Sequence, residues 1–338
     1  MTPRDERNCP ECDGTFPAIT VPPVHRRGFL RTVGGAAAAF ALGGSARADA
    51  KVKPAEDLVR ELFATLSADQ KKIVNLPWNH GQKDGKGLPT RSGMYNAAIQ
   101  NQKIAAHYTK SQQELLDKIF RGICAEGDGY KRLSRGGNFD ASGSFTNIGA
   151  HIFGDPTDKH QFSLVFSGHH LTIRCDGNSE PDTAFGGPMY YGHTPDGWSD
   201  ENIFFYQTKA VKAVYDALDE KQRKAACIDG TPGELMKSIE FRKKFPGLHI
   251  SELSKDQKAL VEATMRELLS PFRKEDADEV MDILKATGGL DKIYLAFYFE
   301  EFGDSKQWHF WRLEGPGFVW NFRVLPHVHT YVNIAKLA

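Results

Sequence analysis

The stretch Trp308-His309-Phe310-Trp311-Arg312-Leu313-Glu314-Gly315-Pro316-Gly317-Phe318-Val319-Trp320-Asn321-Phe322-Arg323-Val324 decides the fold. Two runs rich in aromatic and β-branched residues flank a Glu-Gly-Pro-Gly turn, so residues 308–313 and 318–324 read as the two strands of a hairpin. A further apolar run precedes them (Ile293, Tyr294, Leu295, Ala296, Phe297, Tyr298, Phe299), and residues 327–334 follow. Short connections between neighbouring strands favour antiparallel pairing. Upstream, residues 234–286 carry helical spacing, with Val280, Ile283 and Leu284 on one stripe. The class that results is α+β: a mostly antiparallel sheet packed with helices on one side, in a single large domain.

The last strand of that sheet contains Leu325-Pro326-His327-Val328-His329-Thr330-Tyr331. A period of two puts His327 and His329 on one face and Val328 on the other. Two imidazoles side by side on a rigid strand can begin a metal site or a proton-handling site. Their natural partner is the His-His pair in Ser167-Gly168-His169-His170-Leu171, between strand-like runs at 160–166 and 170–175. In a regular strand His169 and His170 face opposite ways, so one joins the site and the other needs a structural partner. A bulge at Gly168 is the exception to that rule.

Elsewhere the chain shows punctuation more than chemistry. Residues 54–66 carry Leu58, Leu62, Phe63 and Leu66 at helical spacing, and Ser67-Ala68-Asp69-Gln70 is a capping-box pattern. The device recurs as Asp219-Glu220-Lys221-Gln222 and Ser254-Lys255-Asp256-Gln257, at spacings too unequal for a solenoid. Ser111-Gln112-Gln113-Glu114 is expected to open another helix, with Leu115, Ile119 and Ile123 on one stripe. Residues 136–154 match no phosphate-loop pattern and read as a loop or short ribbon at the edge of a site. Residues 185–198 read as a long aromatic loop, with Tyr190, Tyr191 and Trp198 lining a cleft or covering a core. Glu201, at the head of the next helix, is a candidate carboxylate beside it.

At 338 residues and 40% apolar content the chain can bury a sizeable core, and its formal net charge is zero. The first 48 residues hold six Arg and four acids, which leaves the remainder at −2. A near-neutral body argues against a nucleic-acid partner or a polybasic membrane partner. Arg26-Arg27-Gly28-Phe29-Leu30-Arg31, a Gly/Ala-rich run from Val33 to Gly44, and Ala46-Arg47-Ala48 have the layout of a twin-arginine export signal over residues 1–48. The apolar run, at about a dozen residues, falls short of the roughly 20 that span a bilayer. Cleavage after Ala48 would leave residues 49–338 as a periplasmic or otherwise extracytoplasmic protein with no membrane span. The translocase would be its partner during export, a route that carries folded cargo. Cys9-Pro10-Glu11-Cys12 falls in the removed segment with no second half-site. Cys124, Cys175 and Cys227 remain, an odd number that forbids complete internal pairing.

Gly168-His169-His170-Leu171, the Phe185-Gly186-Gly187-Pro188 loop and Arg312-Leu313-Glu314-Gly315-Pro316 … His327-Val328-His329 together resemble the DUF3500 family over roughly residues 55–335. That resemblance implies a common fold and a common site, and it supplies no reaction. The residues themselves point first to a metal-dependent enzyme, hydrolytic or oxidative. His327 and His329, with His169 or His170, would hold a divalent transition metal (Zn, Fe, Cu or Ni), with Glu300, Glu301 or Asp176 as acceptors for the far ring nitrogens. The alternatives are two. One is a metal-free His/Glu acid–base enzyme, with Glu201 or Glu300 as carboxylate and Arg174, Arg312 or Arg323 holding an anion. The other is a non-catalytic envelope protein that binds a small-molecule ligand through the aromatic loop. No H-E-x-x-H and no G-x-S-x-G occurs to name a reaction.

Overall fold

Alternation governs the strands, and the backbone pairing follows from it. The computed structural model describes residues 54–157, 160–234, 239–299 and 307–337. Residues 1–48, where an export signal is expected, with Cys9 and Cys12, and Glu300 and Glu301, lie outside the described residues. Pro54–Ala338 form one compact unit. Its described strands are β1 (Asn75–Leu76), β2 (Gly149–Gly154), β3 (Phe162–Gly168), β4 (Leu171–Cys175), β5 (Met189–His193), β6 (Cys227–Asp229), β7 (Leu248–His249), β8 (Tyr294–Phe299), β9 (Trp308–Gly315), β10 (Phe318–Arg323) and β11 (Val328–Ile334). The helices are α1 (Ala55–Thr65), α2 (Ala68–Val74), α3 (Ile104–His107), α4 (Lys110–Gly122), α5 (Gly129–Leu133), α6 (Phe205–Asp216), α7 (Glu220–Ala226), α8 (Lys255–Leu269) and α9 (Lys274–Ala286).

All eleven strands belong to one open sheet in the order β1-β2-β3-β4-β5-β11-β10-β9-β8-β6, with β7 paired to β8 off that path. Pairing is antiparallel except for β1 with β2 and β6 with β8. This order is a palindrome of elements. The run α1-α2-β1, then α4, then β2-β3-β4-β5 is repeated as α6-α7-β6, then α8, then β8-β9-β10-β11. The two runs meet where β5 pairs with β11, Tyr190 opposite Tyr331.

Capping boxes hold each run together. In the first, Ser67 and Thr109 cap α2 and α4, each with a glutamine three residues on. Those glutamines clasp each other, Gln70 Nε2 donating to Gln112 Oε1 at 2.7 Å and Gln112 Nε2 to Gln70 Oε1 at 3.2 Å. The second run repeats the clasp from the boxes of α7 and α8, between Gln222 and Gln257 at 3.0 and 2.7 Å. The cap of α4 is Thr109 rather than the expected Ser111 region, because Thr109 has the extended backbone that an N-cap needs and Ser111 already lies in the first turn.

The helices cover one face of the sheet. Leu62, Phe120, Val211, Val261 and Leu284 share the main core with Leu164, Phe166, Tyr191, Trp311, Trp320 and Phe322. The opposite strand residues meet the irregular segments that follow β1 and β6. Leu76, Ile99, Phe153 and Val165 cluster with Trp78 and Tyr95, and Tyr190 and Tyr331 cluster with Ile239 and Met94. Helices on one side of a mostly antiparallel sheet is the expected architecture.

Two further expectations fail in detail. Residues 234–286 are not continuously helical: β7 interrupts them, and α8 ends at Leu269, before Pro271. There Ala125 N–H bonds the Pro271 carbonyl at 2.9 Å, and Arg273 N–H bonds the Ile123 carbonyl at 3.1 Å. Residues 185–198 are not one long loop, since Met189–His193 is the central strand β5, with Tyr190 and Tyr191 buried. Its partner β11 lies some 140 residues away in sequence, and no local pattern reveals such a pairing. Cys124, Cys175 and Cys227 are all free thiols. Among the described residues no helix is long and apolar enough to cross a membrane.

Candidate metal centre

The site lies on the loop-covered face, beside the β5–β11 junction. Antiparallel register sets Arg323 of β10 opposite His329 of β11. His327, just before β11, and His329 share a face as period two requires. On the other flank Gly192 of β5 stands opposite His329. A Cβ there would collide with the Val328 carbonyl and lie 3.1 Å from His329 Cδ2, so only glycine lets the rings approach.

The third imidazole arrives by a route that strand reasoning does not describe. Gly168 pairs with Leu171, so His169 and His170 are the two-residue loop of the β3–β4 hairpin and not strand residues. His170 takes a left-handed backbone (φ 52°), and neither bulge nor alternation sets its direction. Its N–H donates to Asn96 Oδ1 at 2.7 Å. His170 joins His327 and His329, and His169 does not belong to that trio.

The three Nε2 atoms converge. His327 Nε2 is 2.9 Å from His329 Nε2 and 3.1 Å from His170 Nε2. All three residues are buried. The far ring nitrogens are anchored: His170 Nδ1 lies 2.8 Å from Asp140 Oδ2, and His329 Nδ1 lies 3.1 Å from Glu234 Oε2 and 3.0 Å from Tyr331 Oη. A carboxylate accepts only, so these contacts put the proton on Nδ1 and turn the Nε2 lone pairs of His170 and His329 toward the common point. Arg323 reaches the same point, its Nη2 lying 2.9 Å from His329 Nε2 and 3.3 Å from His327 Nε2. Arg323 is itself held by the Glu234 carboxylate and by the His327 carbonyl, the latter at 3.2 Å.

Electrostatics keep the imidazoles neutral. Burial pushes His170 down to about 3 against the pull of Asp140. Burial and then the Arg323 charge push His327 down to about 2 and His329 well below the ordinary range. Asp140 is the opposite case. Burial alone would raise it, but the Arg135 guanidinium at 3.5 Å and the His170 and His193 N–H groups hold it far below the usual carboxylate range. His193 Nδ1 sits 2.6 Å from Asp140 Oδ1, and its side chain is 19% exposed. Four non-glycine residues around the site adopt left-handed backbone: Arg135 (φ 50°), Phe139 (φ 54°), Asp140 (φ 47°) and His170. Each costs roughly 1–2 kcal/mol, a concentration of strain that the surrounding contacts must over-determine.

Of the residues expected at the site, His170, His327, His329 and Arg323 come together. His169 serves the loop instead: its Nδ1 accepts from Ala141 N–H at 3.3 Å, and its carbonyl accepts from Arg135 at 2.9 Å. Its ring lies against His170, centroids 3.8 Å apart. Arg174 donates to the carbonyls of Arg91, Gly93 and Pro188, which ties the segment after β1 to the sheet and leaves it no role at the imidazoles. Arg312 pairs with Glu314 at 2.9 Å. Asp176 accepts the Asn178 and Glu180 N–H groups of its own turn. Glu201 is exposed and meets none of the three histidines among the described contacts. The sequence reading missed Asp140, His193 and Glu234. The glycine-rich stretch from Gly136, expected at the edge of a site, contains Asp140, which tolerates the left-handed backbone the loop imposes. Nothing local marks Glu234.

The model of a family described as "Protein of unknown function (DUF3500)" matches residues 48–334. No curated protein and no solved structure matches the chain.

Proposed function

We propose that this chain, which belongs to the DUF3500 family, is a metal-dependent enzyme whose ion is held by Nε2 of His170, His327 and His329. The observation that carries the reading is the convergence of three neutral imidazole nitrogens at 2.9 and 3.1 Å, with a carboxylate behind two of the rings. Lone pairs turned toward one another repel unless a cation or a proton lies between them, and without an ion Arg323 Nη2 supplies N–H groups to those of His327 and His329. Carboxylate–histidine pairs of this kind orient metal ligands and raise their basicity. Two nitrogens each about 2.1 Å from one ion are about 3.0 Å apart at a right angle and about 3.4 Å apart at the tetrahedral angle. Neither 2.9 nor 3.1 Å exceeds what one ion can span, and imidazole ligands suit Zn, Fe, Cu or Ni alike. An ion held by three neutral ligands keeps open positions, where it can polarise a bound oxygen for hydrolysis or take part in oxidative chemistry.

A metal-free acid–base reading has its own support in the Glu234–His329 contact at 3.1 Å and in the Asp140–His193 pair, the part of the site nearest solvent. Metal analysis separates the two. Protein purified without a histidine tag is expected to carry, or take up from Fe, Ni, Cu or Zn, close to one ion per chain. Replacing both His327 and His329 by Ala should abolish uptake while a cooperative melt remains. Wild-type protein that stays empty with all four metals would defeat the metal reading and leave the acid–base one. Export through the twin-arginine route is a separate part of the proposal. It is checked by sequencing the amino terminus of the mature protein, which should begin at Asp49.

A further inference from the structure

The end of the sheet away from the histidines carries a cavity of its own. Pro316 and Gly317 turn the β9–β10 hairpin as His169 and His170 turn the β3–β4 hairpin, so the two tips hold corresponding places in the two runs. Arg323, at the histidine centre, closes β10 seven residues beyond Pro316, roughly 23 Å at a strand's rise. Beside Pro316 lies a cavity of about 510 Å³, lined by Lys243, Lys244 and Lys292 and by the rings of Phe245, His249 and Tyr294. Small-molecule sites have this size, about 300–1,000 Å³.

The charge of the cavity is one-sided. Its three lysines are exposed, and none pairs with a carboxylate among the described residues. The acids beside them are already engaged. Asp291 accepts from Lys258 at 2.7 Å, and Glu314, opposite Tyr294 in the sheet, is held by Arg312 at 2.9 Å and by Arg242. Like charges around one small cavity repel, and an anion among them relieves the repulsion. Lysines alone would make only a solvated face, but rings form the rest of this wall. The Tyr294 ring centroid lies 5.5 Å from that of Phe245 and 4.6 Å from that of His249, whose Nδ1 is held by Ser251 Oγ. All three rings are half-buried, so each is fixed by its neighbours and still offers a face to the cavity. Ammonium groups beside aromatic faces suit a ligand that carries a negative group on a planar ring: the ring packs on Tyr294 and Phe245, and the anion meets the lysines.

We propose that this cavity is a second binding site, for a small anionic aromatic molecule: a phosphate or a carboxylate borne on a planar ring. It is separate from the histidine centre and does not depend on that centre holding a metal.

The test is a calorimetric titration of the purified full chain, treated with chelator so that no ion at the histidines can bind the probes, at low ionic strength. Phenyl phosphate and benzoate carry both features of the ligand, inorganic phosphate lacks the ring, and benzyl alcohol lacks the charge. Wild type should bind phenyl phosphate or benzoate at one per chain, with a Kd of about 1 mM or tighter. Inorganic phosphate and benzyl alcohol should each bind at least about fivefold more weakly. The double variant Lys243→Gln, Lys292→Gln should weaken the ring-bearing anion about tenfold, and Tyr294→Leu about fivefold, with cooperative melts retained. Whichever ring-bearing probe binds more tightly identifies the anionic group. If Y294L does not fold, Phe245→Leu takes its place. Undetectable binding of both ring-bearing anions, or affinity unchanged in K243Q/K292Q, overturns the proposal. So does inorganic phosphate binding as tightly as phenyl phosphate, which would reduce the cavity to a solvated basic face.

Discussion

Asp140 is one side chain with three cationic or N–H partners: Arg135, His170 and His193. Replacing it by Asn leaves a single carbonyl oxygen for two imidazole N–H groups and removes the counter-charge of a fully buried guanidinium. Loss of one partner from a buried ion pair costs about 3–5 kcal/mol. Loss of a carboxylate behind a ligating histidine weakens metal binding about 10–100-fold. Asp140→Asn should therefore lower both the urea midpoint and the metal affinity in a competition titration, and unchanged values for both would show that Asp140 does not support the site. At this scale the sequence was legible where geometry is local. His327 and His329 share a face because a strand imposes it, whereas the choice of His170 over His169 depends on a left-handed residue in a two-residue loop. Asp140 and Glu234 come from irregular segments far from β11 in sequence, and no periodicity ties them to it.

The clasped capping boxes work at the level of elements. Gln112, 4% exposed, accepts the Thr109 N–H at 2.9 Å and donates to the Thr65 carbonyl at 3.1 Å and to Gln70. Its counterpart Gln257 makes the matching bonds, to Ser254 N–H at 2.8 Å and to the Ala217 carbonyl at 2.7 Å, in a more exposed setting. Water can replace the bonds of the second clasp more easily than those of the first. Gln112→Ala is expected to cost about 2–3 kcal/mol and Gln257→Ala about 1 kcal/mol in equilibrium urea unfolding. The reverse order would mean that burial does not set the strength of the clasp. Three of the four boxes can be read from Ser or Asp followed three residues later by Gln, and the fourth from Thr109. Their pairing across the molecule, and with it the palindromic sheet, cannot be read from those boxes, because side chains some 40 residues apart in sequence make it. The hairpin of β9 and β10 was legible because its turn and both its strands are contiguous.

For the whole molecule, two sets of groups pull stability in opposite directions with pH. His170, His327 and His151 sit in the folded protein at about 3, about 2 and about 4, all below the ordinary 6.5, chiefly through burial. The unfolded chain takes up protons first, so their contribution is present above pH 6.5 and is lost as pH falls from there toward the folded values. Asp276 and Glu279 are raised by burial to about 6 and about 7. Their contribution is present below the ordinary carboxylate values and is lost as pH rises through 6 and 7. The histidine shifts are larger and more numerous, so metal-free protein should gain stability between pH 4 and pH 6.5. Between pH 6.5 and pH 7.5 the gain should stop or turn to a slight loss. Urea midpoints across that range test this, and a steady fall from pH 4 upward would contradict the burial of the imidazoles as neutral groups.

The palindromic sheet also has a consequence in time. One imidazole of the centre comes from the first run of elements, and the other two come with β11, at the end of the second. Chain growth proceeds from the amino end, so both runs of elements must be translated before three imidazoles exist to meet. A nascent or prematurely terminated chain that has completed the first run can pair β2 through β5 and still present a single ligand. Ion uptake would therefore report a chain that has completed both runs and no precursor that stops after the first.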